Sequence, residues 1–350
     1  MTDIDITEYD VINTEKSLKT LTAAEVLDTS FLVKAPVVEG LLGTGVYLFV
    51  GAPKVGKSFF MTQLAYHVAT GKPLFGREVY CGEVLYLALE DTFRRIQNRF
   101  GRMFGVAAEP TIHFCVEASS ISEGLTEQLD SFIDSFPSTR LVIIDTLQKI
   151  RETADAAYSY ASDYTIISAM KDFADRRGIC VVLVHHTRKM TAQDRFDQIS
   201  GTNGLLGAAD GAFVMYKDSR TSDSASLEVS GRDVEDQKLI LKRNKLTLAW
   251  ELERAVTDLH KQPPDPLLAK VKEFTSALGG TYWKGSPAEL KEKLGVDIAA
   301  NHLTRRLNIA SPRLYEEYDV VYVSKRRNSG TVIYLQAVEQ KQKVTVSDGK

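Results

Sequence analysis

The chain contains no apolar run approaching the length of a membrane span. Cysteine is scarce: three residues, Cys81, Cys115 and Cys180, an odd count without metal-ligand spacing. That excludes a disulfide framework and a cysteine-based zinc site. Cys115 and Cys180 fall in strand-like runs and are expected to be buried, reduced thiols. An excess of positive charge is also lacking, with 43 Lys and Arg against 46 Asp and Glu and a net charge of −3. This argues against a generally basic nucleic-acid binder. The first residues include Asp3, Asp5, Glu8 and Asp10, the wrong charge for a secretion signal, so a cytoplasmic protein is expected.

What is present is ordinary globular material, 44% hydrophobic and 25% charged in 350 residues, enough for about two domains. Charge is unevenly spread. Between Leu267 and Leu335 there are eleven Lys and Arg against seven Asp and Glu, a net +4, which leaves −7 for the rest. A basic C-terminal module beside an acidic body suggests that the module meets an anion.

Residues 1–20 are acidic and aperiodic and are expected to be disordered. Residues 21–45 read as an N-terminal arm with a short helix near 22–27. From 46 to 260, strands expected at 46–50, 83–89, 111–116, 141–144 and 179–184 alternate with helices. This predicts an α/β fold with a mostly parallel sheet covered on both faces. Short alternating strands after Gly204 are expected to extend one edge in antiparallel fashion. Pro263, Pro264 and Pro266 make 261–266 a stiff linker. Residues 267–336 read as three helices and a hairpin, the order of a winged helix, and 337–350 as a disordered tail.

The chemistry begins at Gly51-Ala52-Pro53-Lys54-Val55-Gly56-Lys57-Ser58, a G-x-x-x-x-G-K-S P-loop. An apolar strand precedes it and a helical pattern follows, which is the context the motif needs. Its glycines let backbone N–H groups converge on phosphate oxygens, and the new helix adds partial positive charge. ATP with Mg²⁺ is the expected cofactor. The nucleotide set is Gly51, Ala52, Pro53, Lys54, Val55, Gly56, Lys57, Ser58 and Phe59. Lys57 would reach the β- and γ-phosphates and Ser58 the metal. Leu141-Val142-Ile143-Ile144-Asp145 is a Walker B pattern, with Asp145 as the second metal ligand. No Glu follows Asp145-Thr146, so the base must come from elsewhere. Glu90, ending the run from Val84, is the choice, with Asp91 capping the next helix. His185 or His186, at the end of the 179–184 strand, would sense the γ-phosphate; spacing does not choose between them. The polar stretch 188–204, with Arg188, Lys189 and Arg195, is a loop placed to track single-stranded DNA.

Together these motifs, with Ser200-Gly201-Thr202 and Ala209-Asp210, resemble the RecA/DnaB-type ATPases. The likeness is greatest to the RepA family of hexameric replicative helicases of broad-host-range plasmids and their relatives on phages and integrative elements. It covers roughly residues 22–252. It implies a RecA-like ATPase, assembled as a homo-oligomeric ring, that unwinds DNA during replication of a mobile element. It also implies an arginine finger from the adjacent subunit. In the plasmid helicase that arginine follows shortly after the residue matching Asp210. Here Gly211-Ala212-Phe213-Val214 contains none, which leaves Arg232 or Arg243 as the finger.

The C-terminal module goes beyond a minimal helicase. Its third helix offers Arg305 and its hairpin Arg326 and Arg327 as contacts to duplex DNA; docking a protein is the other use of such a module. Two further readings follow: an ATP-switched initiator, loader or regulator that binds duplex DNA without unwinding it, and a strand-exchange recombinase.

Overall fold

The computed structural model describes residues 18, 20–31, 35–106, 110–151, 160–186, 207–219, 221–256, 263–327 and 330–338. The 188–204 loop with Arg188, Lys189 and Arg195, the hairpin turn at 328–329 and most of both termini lie outside them. The chain divides into two units, residues 34–261 and residues 1–33 with 262–350.

The larger unit is built on a nine-stranded sheet. Its strands are β1 (Gly45–Gly51), β2 (Glu83–Ala88), β3 (Ile112–Cys115), β4 (Thr139–Asp145), β5 (Cys180–His186), β6 (Gly211–Tyr216), β7 (Ser224–Gly231), β8 (Gln237–Arg243) and β9 (Trp250–Ala255). The order is β3-β2-β4-β5-β1-β6-β7-β8-β9. The run from β3 to β6 is parallel, and β7 to β9 add antiparallel strands at one edge. β6 belongs to the parallel part, since it pairs with β1 rather than forming a hairpin with it.

Alternation along β1 explains the layers. Tyr47 and Phe49 face a core that includes Phe60, Met61, Leu64 and Val68 of α2 (Lys57–Thr70). Val46, Leu48 and Val50 face the opposite core, with Leu129 of α4 (Leu125–Ser135) and Ile167 and Phe173 of α5 (Tyr160–Arg177). The helix α3 (Phe93–Phe104) follows β2. Each fully buried Leu or Phe contributes about 1.5–3 kcal/mol. In parallel strands hydrogen-bonded on both sides, the chain ends of β1 and β4 come together at one edge, and loops leaving that edge form the site.

Asp210, the residue after which the resembled helicase carries its arginine finger, lies at the end of this sheet away from the P-loop. It accepts from the Val46 amide at 2.8 Å and pairs with Lys171 of α5 at 2.8 Å. Of the three thiols only Cys180 is buried; Cys81 is exposed and Cys115 half-buried, because β3 is an edge strand.

The second unit contains α1 (Ala23–Asp28), α6 (Pro266–Ser276), α7 (Pro287–Leu294), α8 (Ala300–Ile309) and α9 (Ser311–Glu316), with a sheet ordered β10-β12-β11. Its strands are β10 (Trp283–Gly285), β11 (Val320–Arg327) and β12 (Gly330–Ala337). Leu268, Val271, Leu290, Leu303, Leu307, Leu314, Ile333 and Leu335 form its core. Asn308 lies at the core's edge, where its Oδ1 accepts from the Tyr322 hydroxyl at 2.9 Å and from Ser324 Oγ at 2.8 Å. The helix α1, expected as part of an arm leading into the ATPase core, instead belongs to this unit.

Candidate active site

The loop between β1 and α2 has the shape its residues dictate. A Cβ on Gly51 would lie 2.5 Å from the Met215 carbonyl oxygen, and one on Gly56 would lie 2.6 Å from the Trp250 ring. Gly56 also has φ +116°, and Lys54 takes the left-handed value +65°. Gly56 is the N-cap of α2 and supplies no side-chain cap. The first N–H groups of α2 are therefore left for an outside acceptor, at the positive end of the helix dipole. That cradle fits a polyphosphate.

Trp250 holds the loop from behind. Its backbone N–H donates to Gln63 Oε1 at 2.7 Å, and Gln63 Nε2 returns a bond to its carbonyl at 2.8 Å. Its indole lies on Gly56 and donates to that residue's carbonyl at 3.4 Å. Nothing in the local sequence marked Gln63 or Trp250, which are 187 positions apart.

Lys57 is 5% exposed. Its ammonium donates to the carbonyls of Gly51 at 2.7 Å and Ala52 at 3.2 Å, and meets His186 Nδ1 at 2.9 Å. An ammonium can only donate, so Nδ1 accepts and the ring's proton belongs on Nε2. Burial pulls the Lys57 pKa down to about 8, opposed by the charges of Asp145 and Glu90. Burial, with help from Lys57, lowers that of His186, which keeps the imidazole neutral. The structure thus separates the two histidines. His186 meets Lys57, and His185 is buried one residue earlier on a strand whose successive side chains alternate in direction. Both lie within β5, which runs two residues further than expected.

Asp145 ends β4 and is 7% exposed. Its carboxylate accepts from Tyr86 Oη at 3.0 Å and from Ser58. Desolvation raises its pKa; the Ser58 and Tyr86 hydroxyls and the charges of Lys57 and Arg99 oppose that rise. Ser58 and Asp145 together offer a hydroxyl and a carboxylate, hard oxygen donors that suit Mg²⁺. Glu90 is exposed just beyond β2, where its Oε1 accepts from Thr146 Oγ1 at 3.3 Å. Asp91 does not cap α3. Thr92 takes that place, accepting from the Arg95 amide, and Asp91 pairs with Arg99 at 2.6 Å and Arg95 at 3.2 Å.

A P-loop, a Walker B carboxylate and an acid beyond the neighbouring strand thus converge on one edge. Residues 13–192, just over half of the chain, match the family model described as an AAA domain. The chain belongs to the AAA domain family. No curated protein matches it. Among solved structures this AAA domain protein is similar to the ATPase domain of G40P, with 16% identity and a TM-score of 0.49 over 59% of this chain and 84% of that one. It is also similar to a DnaB-like replicative helicase studied with primase, with 17% identity and a TM-score of 0.46, covering 59% of this chain and 58% of that one.

The two finger candidates of this AAA domain protein lie at opposite ends of the sheet. Arg243 ends β8 beside the P-loop of its own chain, with its guanidinium 4.3 Å from the centre of the Phe59 ring. Arg232 donates to the Gly207 carbonyl at 2.7 Å and lies 4.0 Å from Asp210. Phe213 is buried and stacks with Phe49. In the smaller unit, Arg305 is paired with Asp28 at 2.7 Å, while Arg326 and Arg327 are exposed on the hairpin.

Proposed function

We propose that this chain is an ATP-hydrolysing motor of RecA-like type that forms a homo-oligomeric ring, binds single-stranded DNA and unwinds duplex during replication of a plasmid, phage or integrative element. The observation that carries it is the contact of Ser58 and Asp145 beside a buried, carbonyl-held Lys57. ATP needs those three groups together.

In this reading the open N–H groups of α2 bind the phosphates, and Lys57 leaves the Gly51 and Ala52 carbonyls to pair with them. Ser58 and Asp145 hold Mg²⁺, which supplies charge neutralisation to the phosphate oxygens. Glu90, steadied by Thr146, accepts a proton from the attacking water. His186 responds to Lys57's departure and passes the nucleotide state along β5. Arg232 or Arg243 serves the neighbouring subunit only after giving up its present partners. The C-terminal unit acts as a winged helix on duplex DNA. The four helices α6 to α9, the three-stranded sheet and the surplus of cations between residues 267 and 335 support that reading.

The second reading, an ATP-switched duplex-binding initiator, draws support from the engagement of both finger candidates within the chain. Unwinding of a forked duplex by the wild type and by Glu90→Gln separates the two. Strand displacement lost in the variant supports the motor. ATP turnover unaffected by single strands, with no displaced strand, overturns it.

A further inference from the structure

Helix α8 of the smaller unit does not present its polar face freely. Arg305 Nε donates to Asp28 Oδ1 at 2.7 Å and its Nη2 to Oδ2 at 3.2 Å. Three residues along the same face of α8, Asn308 Nδ2 donates to the Leu27 carbonyl at 2.9 Å. Asn308 is not free to turn, because Tyr322 and Ser324 hold its Oδ1. Helix α8 therefore presents a guanidinium fork and a fixed amide N–H side by side, both aimed at one acidic residue and its preceding carbonyl. A planar two-donor fork beside a fixed neutral donor is equally a set for a phosphate. Arg326 lies close enough to contribute favourable charge at Glu25 and Asp28.

The present occupant is weakly held. Helix α1 has six residues and none is buried. Val26 is 44% exposed and Leu27 38%. A helix that short does not persist alone in water. The Arg305 and Asp28 side chains are each 34% exposed, a setting in which solvent screens an ion pair and leaves it weak. Duplex DNA offers a charge every ~1.7 Å of axis and gains from counterion release.

We propose that α1 is an internal competitor for duplex DNA: Asp28 and the Leu27 carbonyl occupy the seat on Arg305 and Asn308 that a backbone phosphate takes, and DNA binding displaces α1. This rests on the reading of the C-terminal unit as a duplex-binding module. The acidic helix is then a gate on that module, and the displaced segment is the one that leads directly into the ATPase unit.

The test is fluorescence anisotropy of a labelled 20-base-pair duplex with the full chain. Asp28→Asn is expected to tighten binding about three- to tenfold. Asp297→Asn removes the same charge from a fully exposed site on this unit and is expected to change it less than twofold. Arg305→Ala is expected to weaken binding and to make Asp28→Asn silent. Added duplex is expected to speed amide hydrogen exchange in α1. If Arg305→Ala weakens binding but Asp28→Asn behaves as Asp297→Asn does, the competition is wrong and the DNA-binding module stands. If Arg305→Ala binds duplex as the wild type does, the DNA reading of this unit falls and the competition falls with it.

Discussion

The phenol of Tyr86 donates to Oδ2 of Asp145 across 3.0 Å, inside the sheet and between neighbouring strands. Tyr86 is fully buried, and its partner is a buried carboxylate whose pKa desolvation raises. Among the described residues, Asp145 has two side-chain donors, Ser58 and Tyr86. Ser58 is expected to turn to the metal when nucleotide binds, which leaves Tyr86 as the fixed one. In the proposed function Tyr86 is a positioning residue for the carboxylate that would hold Mg²⁺. Tyr86→Phe keeps the ring and its packing. It is expected to raise the Mg²⁺ concentration for half-maximal ATPase activity about tenfold or more, as loss of an outer-shell partner does. The KM for ATP at saturating Mg²⁺ should move little. Stability should fall by about 1 kcal/mol. An unchanged Mg²⁺ requirement would show that Tyr86 only fills space.

Lys57 gives a pH signature. Its pKa falls from 10.5 to about 8 on burial. Between those values the folded, nucleotide-free chain has released a proton that the unfolded chain retains. Burial of the ammonium thus opposes folding below about pH 8, and the penalty fades as pH rises through the window. Nucleotide acts in the other direction, because phosphates favour the charged form. ATP affinity is therefore expected to be level near pH 7 and to fall above about pH 8, approaching tenfold per pH unit. Lys57→Arg stays charged and should lose the break whatever its absolute affinity. Titration of a fluorescent ATP analogue between pH 7 and 10 reads both. A wild-type profile flat across that range contradicts the assignment.

The Gln63–Trp250 clamp predicts a loss of loop geometry without loss of any phosphate ligand. Gln63→Leu leaves the Trp250 N–H and C=O without their side-chain partner in a buried position. That is expected to cost about 2 kcal/mol or more in urea unfolding. Because Trp250 packs on Gly56, the KM for ATP should rise by more than the kcat falls. In a Trp283→Phe background, Trp250 is the remaining tryptophan, and its emission should shift on nucleotide binding. A Gln63→Leu variant with wild-type KM would separate the clamp from the loop.

The parts of this site that sequence made legible are the parts with local grammar. The P-loop spans eight adjacent residues, and strand and helix periods repeat within short windows, so the β1–α2 unit and the parallel sheet could be read from the sequence. The missed contacts join distant positions: Tyr86 to Asp145 across 59 residues, Gln63 to Trp250 across 187, and Arg305 to Asp28 across 277. No window contains both partners, and no charge or hydropathy period announces them. The short elements α9 and β10 failed for another reason, being too brief to complete a period. From sequence Asp91 reads as a cap because acids favour such sites. Thr92 took the cap, and two arginines of α3 drew Asp91 onto its flank.

Glu90 carries the last prediction. It is exposed at the mouth of the site, it lies just past β2, and Thr146 donates to it at 3.3 Å. Thr146 directly follows Asp145, so one peptide links that carboxylate to the hydroxyl that holds Glu90. Glu90→Gln keeps the acceptor for Thr146 and removes the capacity to take a proton. It is expected to lower kcat by about 10²–10⁴-fold while nucleotide affinity stays within a few-fold. Thr146→Val removes the steadying bond alone. It should cost less, about tenfold in kcat, and should leave Glu90→Gln no worse when the two are combined, because each disables the same proton acceptor. Single-turnover ATP hydrolysis with the four proteins completes the cycle. A Glu90→Gln enzyme that still turns over near the wild-type rate removes Glu90 from the chemistry. The Thr146 contact would then be a structural bond between two loops, and the base would have to come from outside this chain's described site.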